Sequence, residues 1–230
     1  MVQAGGHRVL AGLLGAVLLG LGGCSSGRAS TKVDEAWLAR VPPAEMEPVH
    51  KARITQNKAV DETTRARVSL EDAKSALEVA KTDEKATKAR REAEEKALLA
   101  ARETAQANDI TRAQQGLRDA DLEHRAAQAE VEFREQVVAT REAMEKMRAR
   151  ELAVADAELA QTEYQALLRS GDVRAKELDG KAFEDKLAKA RSEARETQNE
   201  VDALLQAQRQ SQARWQQLDS QVKAYGGSGR

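Results

Sequence analysis

The chain has 230 residues, and 33% of them are charged, yet 37 basic and 38 acidic side chains leave a net charge of only −1. Only 3% are aromatic and 43 are alanines, so large apolar side chains are too few for a compact core of this size. The balanced charge argues against a nucleic-acid partner, because nucleic-acid-binding proteins normally carry a basic excess. The composition suits long helices that meet along narrow seams, and we predict an all-α protein.

The first 23 residues have the pattern of a cleaved signal peptide. A weakly basic start at His7 and Arg8 precedes an apolar run from Val9 to Leu21. This run has the length of a signal-peptide core and is shorter than the ~20 apolar residues that span a bilayer. It ends in Leu21-Gly22-Gly23-Cys24.

Leu21-Gly22-Gly23-Cys24 resembles the lipobox of bacterial lipoprotein precursors, with leucine at −3, small residues at −2 and −1, and cysteine at +1. The resemblance covers only residues 1–24. It implies cleavage between Gly23 and Cys24, diacylglycerol on the Cys24 sulfur, and an acyl chain such as palmitate on the new amino group. An ordinary secretory signal with a chance cysteine is the alternative.

The surroundings of Cys24 fit an acylated cysteine. It is the only cysteine, so it cannot form a disulfide within one molecule. Ser25 follows it, where lipoproteins retained in the inner membrane of enteric bacteria carry aspartate. The resemblance therefore implies the outer membrane, with the protein facing the periplasm.

Residues 24–48 are predicted to form the lipid anchor and a flexible tether. They begin rich in serine and glycine, and they contain all three prolines, at positions 42, 43 and 48. A short helix over Val33–Arg40 is expected to stop before the proline pair. Trp37, within it, either touches the lipid interface or rests on the helical body.

The body, residues 49–225, is predicted to be coiled coil. It lacks proline and is rich in strong helix formers. Ala52 begins a heptad repeat of alanines that runs to Ala80, with Leu70 and Leu77 among the residues four positions further on. After a one-residue slip, Ala86, Ala93 and Ala100 continue the spacing. Seam positions expected in the middle segment include Leu117, Ala120, His124, Val131, Leu152, Ala155, Leu159 and Ala166.

The last segment carries the cleanest repeat, which is the mark of a left-handed coiled-coil seam. Its seam positions are Phe183, Leu187, Ala190, Ala194, Thr197, Val201, Leu204, Gln208, Ser211, Trp215, Leu218, Val222 and Tyr225. Packing in the core is expected for Trp215 and Tyr225, and a docking surface for a partner is the alternative.

Two breaks divide the body. Gly171 and Gly180, with Asp172 and Asp179 as candidate helix caps, mark a loop, and a weaker break lies at Asn108-Asp109. We predict helices over 49–106, 110–168 and 181–224, packed as an elongated antiparallel coiled coil. Without the weaker break, the alternative is one very long helix with a short return arm. Residues 226–230 are predicted to be a flexible tail.

No catalytic, metal-binding or cofactor-binding residues are predicted. His50 and His124 stand apart, and metal sites need clustered ligands. His124 is interpreted as a polar interruption of the seam, and Met144 and Met147 as packing residues. The chain carries no phosphate-binding loop and no nucleophile motif.

The functional prediction is a lipid-anchored cell-envelope protein that acts as a non-catalytic periplasmic spacer, tether or scaffold. It is held to membrane lipid through acylated Cys24. The alternative is an accessory subunit of an envelope transport, secretion or motility assembly that binds a partner helix through its seam. Both hypotheses are compatible with a homo-oligomer or a helical protein partner.

Overall fold

The computed structural model describes residues 31–226, which are almost entirely helical and include no strand. The elements in chain order are α1 (Glu35–Leu38), α2 (Pro43–Thr104), α3 (Ala107–Arg169), a 3₁₀ helix (Val173–Glu177) and α4 (Gly180–Gly226). The prediction of an all-α fold with three long helices is confirmed. The alternative of one very long helix is wrong, because the chain reverses after Thr104.

Helix α3 is the central element, and α2 and α4 pack along it in antiparallel directions. Ion pairs between helices mark the register: Arg53 of α2 meets Glu163 near the end of α3, and Arg91 meets Asp121 near its beginning. Helix α4 is held in the same way, with Arg214 meeting Glu132. The 63 residues of α3 make a rod about 95 Å long.

The two ends of the rod differ in construction. We call the end that holds residues 33–49, the C-terminus of α3 and the start of α4 the base end. The opposite end, with the α2–α3 turn, is the tip. Helix α4 stops short of the tip: the stacking of Trp215 on Phe133 sets a register that leaves about four turns of the α2–α3 hairpin beyond Gly226.

The turn at the tip is formed by Ala105 and Gln106, close to the predicted break at Asn108. Ala105 adopts a left-handed conformation with φ of 55°, and its N–H donates to the Arg102 carbonyl. Gln106 is extended, and its carbonyl accepts from Asp109 and Ile110. Asn108 and Asp109 therefore lie in the first turn of α3, where Asp109 interacts favourably with the helix dipole.

The α3–α4 connection follows the predicted glycine and aspartate signals. Gly171 has φ of +72°, a conformation that suits a residue without Cβ. Asp172 then caps the 3₁₀ helix by accepting from the backbone N–H of Arg174, and Asp179 caps α4 by accepting from that of Lys181.

The prediction of a flexible tether over residues 24–48 is wrong for the part that the structure describes. Val33, Leu38 and Val41 are buried against the end of the rod, so this segment is packed rather than flexible. Helix α2 begins at Pro43 instead of residue 49, because proline suits the first position of a helix. Pro48 lies inside α2, where it removes one backbone hydrogen bond without ending the helix.

The predicted seam of α4 is confirmed at every position whose side chain the structure describes, from Phe183 to Val222: all are buried or half-buried. The side chain of Tyr225 lies outside the described part. The predicted tail covers residues 226–230, but Gly226 is the last residue of α4, and residues 227–230 lie outside the described part.

The one-residue slip predicted in α2 is wrong. The original spacing continues through Thr87, Arg91 and Leu98, which are half-buried or buried, whereas Ala86 and Ala93 face solvent. Polar residues at these positions make the continuing seam difficult to recognise in the sequence. Arg91 is held at the seam by its ion pair with α3 rather than by apolar burial.

Helix α3 has two buried faces, and the sequence interpretation identified only one. The predicted positions from Leu117 to Ala166 are buried or half-buried. A second set of buried residues on this helix comprises Ala126, Ala129, Phe133, Thr140, Ala143 and Met147. A central helix with a neighbour on each side needs both faces.

Candidate functional site

The base end contains the largest apolar cluster among residues 31–226. Buried residues from the N-terminal segment, α3, the α3–α4 connection and α4 contribute to it: Val33, Leu38, Val41, Val49, Ala166, Leu167, Ala175 and Phe183. Val33, close to the start of the described chain, is buried in this cluster, so the base end is the candidate site for attachment.

Two aromatic rings stack at the start of α4. The ring centroids of Tyr164 and Phe183 are 4.9 Å apart, and the rings are nearly parallel. A Cβ added to Gly180 would lie 2.7 Å from the Tyr164 hydroxyl and 3.0 Å from Cζ of the same ring. Glycine at this position therefore lets the first turn of α4 approach Tyr164 closely.

Trp37 packs on the helical body, as one of its two interpretations predicted. It is half-buried against the apolar cluster, and the Arg174 guanidinium lies 5.3 Å from the ring centroid. Arg174 also pairs with both carboxylate oxygens of Asp172. Hydrogen bonds from Arg174 lower the pKa of Asp172 to about 2. The pair thus fixes the α3–α4 connection against the N-terminal segment.

A second ion pair joins α2 and α3 just above the base end. Arg53 Nη2 donates to Glu163 Oε1 at 3.2 Å. Burial of Glu163 raises its pKa, and this effect outweighs the lowering by Arg53. A desolvated carboxylate can mark a functional site. The charges of Glu35 and Lys32 also act on Glu163. We interpret the pair of Arg53 and Glu163 as a register contact between the two helices.

The residues predicted for lipid attachment and cleavage, Gly23 and Cys24, lie outside the described residues. Their roles stay predictions. Val33, only nine positions beyond Cys24, is already part of the base end.

His124 occupies the interior of the α2–α3 seam, as predicted. His124 is 6% exposed, and its Nδ1 lies 3.4 Å from Thr87 Oγ1. The packing role predicted for the two methionines is also seen, because Met147 is buried with Ala143 and Val201 while Met144 packs against them. Trp215 stacks on Phe133 at 5.4 Å, with the Arg134 guanidinium over both rings.

Polar side chains within the described residues form ion pairs and helix caps. Within residues 31–226, no group of three or more histidine, cysteine, aspartate or glutamate side chains is placed to hold a metal ion. No buried side-chain nitrogen or oxygen in that range lacks a hydrogen-bond partner. No helix in the same range is both long enough and apolar enough to cross a membrane.

A shallow, mostly apolar groove runs between α2 and α4 over the surface of α3. Ala59, Val154, Ala155 and Ala194 line it, and Arg191 and Glu158 form an ion pair at its rim. Thr55, Glu151 and Arg195 complete its lining.

No protein-family profile, no characterised protein and no solved structure shows a significant match to this chain.

Proposed function

We propose that the protein is a lipid-anchored spacer or scaffold of the bacterial cell envelope, held to the outer membrane by acylated Cys24 and extending into the periplasm without catalysing a reaction. The observation that carries this proposal is the position of the anchor relative to the rod. The predicted acylation site lies nine residues before Val33, which is buried in the base end.

The shape of the molecule supports a mechanical role. A rod of about 95 Å, attached at one end, can separate or connect components at that distance. Its helices are joined along their length by ion pairs, including Lys146 with Glu200 and Arg150 with Glu193. Exposed ion pairs contribute little stability each, but they fix the register of Ala-rich helices that offer few bulky side chains.

The test is the covalent state of Cys24 in protein expressed in a bacterial host. Mass spectrometry is expected to show a chain that begins at Cys24 and carries lipid on that residue. The Cys24→Ser variant is expected to remain an unprocessed precursor, whereas Ser25→Ala, beside it, is expected to be processed normally. A mature N-terminus elsewhere, or an unmodified Cys24, would overturn the proposal.

The second candidate, an accessory subunit that binds a partner helix, draws support from the outer face of α2. The predicted seams are occupied within the chain, so a partner would need another surface. Val79 is 62% exposed, and it belongs to a heptad stripe of uncharged, exposed residues on α2. The stripe consists of Ser75, Val79, Thr82, Ala86, Ala89 and Ala93.

The two candidates differ in what the α2 stripe does in native membranes. A spacer is expected to be extracted alone or as a homo-oligomer, and Val79→Asp is expected to leave its behaviour unchanged. A subunit is expected to copurify with a defined partner, and the same substitution is expected to remove that partner. The control is Lys85→Asp, which introduces the same side chain beside the stripe.

A further inference from the structure

Two large apolar side chains project into solvent from the base end. Val173 is 72% exposed, the highest value among the exposed large hydrophobic residues of the described chain, and Leu168 is 48% exposed. Leu168 lies in the last turn of α3, and Val173 is the first residue of the 3₁₀ helix. The connection is tight, because Gly171 N–H donates to the Leu168 carbonyl and Asp172 N–H to that of Leu167.

The described chain leaves about half of Leu168 and most of Val173 uncovered. Leu167 and Ala175, their neighbours, point inward and are fully buried in the base-end cluster. Leu168, next to Leu167, and Val173, two positions before Ala175, are instead exposed on the outer side of the same connection. The capping contacts of Asp172 with Arg174 hold Val173 in this position.

The chain outside the structure identifies what this surface meets. Residues 24–30 directly precede the base end in the sequence, and they begin with Cys24, the residue that the predicted cleavage leaves as the mature N-terminus. From Cys24 to Val33 the chain spans at most about 30 Å when fully extended. A lipid at Cys24 would therefore keep the base end within about 30 Å of the membrane, while the tip can lie some 95 Å further away.

We infer that Leu168 and Val173 form a lipid-contacting surface that rests the base end of the rod on the bilayer interface and orients the rod away from the membrane. This inference rests on the proposed lipid anchor at Cys24. The anchor supplies the affinity, because a short tether gives the surface a high effective concentration at the membrane. The two side chains supply orientation by inserting among the lipid headgroups and upper acyl chains.

The absence of other cysteines makes a direct test possible. When Cys24 carries lipid, a single introduced cysteine is the only free thiol. The full-length chain would be expressed in a bacterial host as Val173→Cys, labelled with an environment-sensitive fluorophore and reconstituted in vesicles of phosphatidylethanolamine and phosphatidylglycerol. The matched control is Val79→Cys, a similarly exposed valine on α2 far from the base end.

Brominated lipids in the vesicles are expected to quench the probe at position 173 at least about twofold and to leave the probe at position 79 unchanged. A third probe, Lys176→Cys, separates insertion from mere proximity. Its quenching is expected to fall when Leu168 and Val173 are both changed to serine, although the lipid on Cys24 remains.

The outcomes distinguish the inference from the proposal on which it rests. If mass spectrometry finds lipid on Cys24 but the probe at position 173 is not quenched, the lipid-contacting surface is wrong and the anchor stands. Equal quenching with and without the serine pair would likewise overturn it, since proximity alone would then explain the signal. If Cys24 is unmodified, both the anchor and the surface are wrong.

Discussion

The base end and the tip solve the same packing problem with different residues. At the base end, aromatic and branched side chains from four segments bury one another, including the stacked pair of Tyr164 and Phe183. At the tip, two Ala-rich helices meet alone, and no residue between Leu98 and Ala120 is buried. Burial of apolar area is the main source of stability, so a coiled coil of uniform appearance must have an uneven distribution of stability along its length.

The largest expected change in stability comes from removing the phenyl ring of Phe183 at the base end. Phe183→Ala is expected to lower the free energy of unfolding by about 3–5 kcal/mol, because Phe183 is only 1% exposed and loses both apolar contacts and its stacking on Tyr164. Urea denaturation followed by circular dichroism measures the change. The control is Leu99→Ala near the tip, where the half-exposed side chain is expected to contribute little. Equal losses would show that the stability is not concentrated at the base end.

The tip is tested by its most buried residue. Leu98→Ala is expected to remove about 2 kcal/mol from the local stability of the hairpin, toward the low end for buried leucines because the site is close to solvent. Amide hydrogen exchange in residues 95–115 is therefore expected to accelerate roughly tenfold or more, with exchange in residues 160–183 unchanged. If both regions accelerate together, the rod opens as one cooperative unit and the comparison fails.

Two substitutions at left-handed backbone positions are expected to change the free energy of unfolding in opposite directions. Ala105→Gly at the tip is expected to stabilise by about 0.5–1 kcal/mol, because it relieves an alanine held at φ of 55°. Gly171→Ala at the base end is expected to destabilise by about 1 kcal/mol, because it places a Cβ at φ of +72°. Thermal midpoints measure both changes, and a shift of the same sign in the two variants would contradict the assigned conformations.

The smallest expected effect concerns acid stability at the base end. Arg174 lowers the pKa of folded Asp172 to about 2 from an ordinary 3.8, so the carboxylate contributes its full stabilisation above about pH 4 and loses it as pH falls toward 2. Asp172→Asn lacks this group but keeps a residue that can cap the 3₁₀ helix. The thermal midpoint of the variant is expected to fall less steeply than that of the parent between pH 4 and pH 2. Parallel curves would show that the pair has no such role.

The success of the sequence interpretation depended on the size of the seam residues. In α4, bulky residues such as Phe183, Val201 and Trp215 occupy a repeat with alternating spacings of four and three, so the buried face could be predicted from the sequence. In α2, polar Thr87 and Arg91 stand at seam positions, and a more conspicuous repeat of alanines faces solvent. Periodicity of small residues alone does not identify the buried face, because alanine is accepted on either side of a helix.

The base end could not be predicted by periodicity. Val33, Leu38 and Val41 form no sustained helical or strand repeat, and their burial depends on contacts with residues more than a hundred positions away in the sequence. The left-handed turn at Ala105 likewise has no sequence signature, because glycine or asparagine normally occupies such a position. The acylation of Cys24 stays a prediction that only chemistry on the protein can test.

An odd number of long helices gives the molecule a polarity. Thr31 lies at one end of the rod, whereas the 47 residues of α4 carry the chain about 70 Å away before Gly226. A two-helix or four-helix version of the same design would return the chain to its starting point. Here Thr31 and Gly226 are held apart along the rod by the length of α4. A component joined near one of them therefore stays at a fixed distance from a component joined near the other.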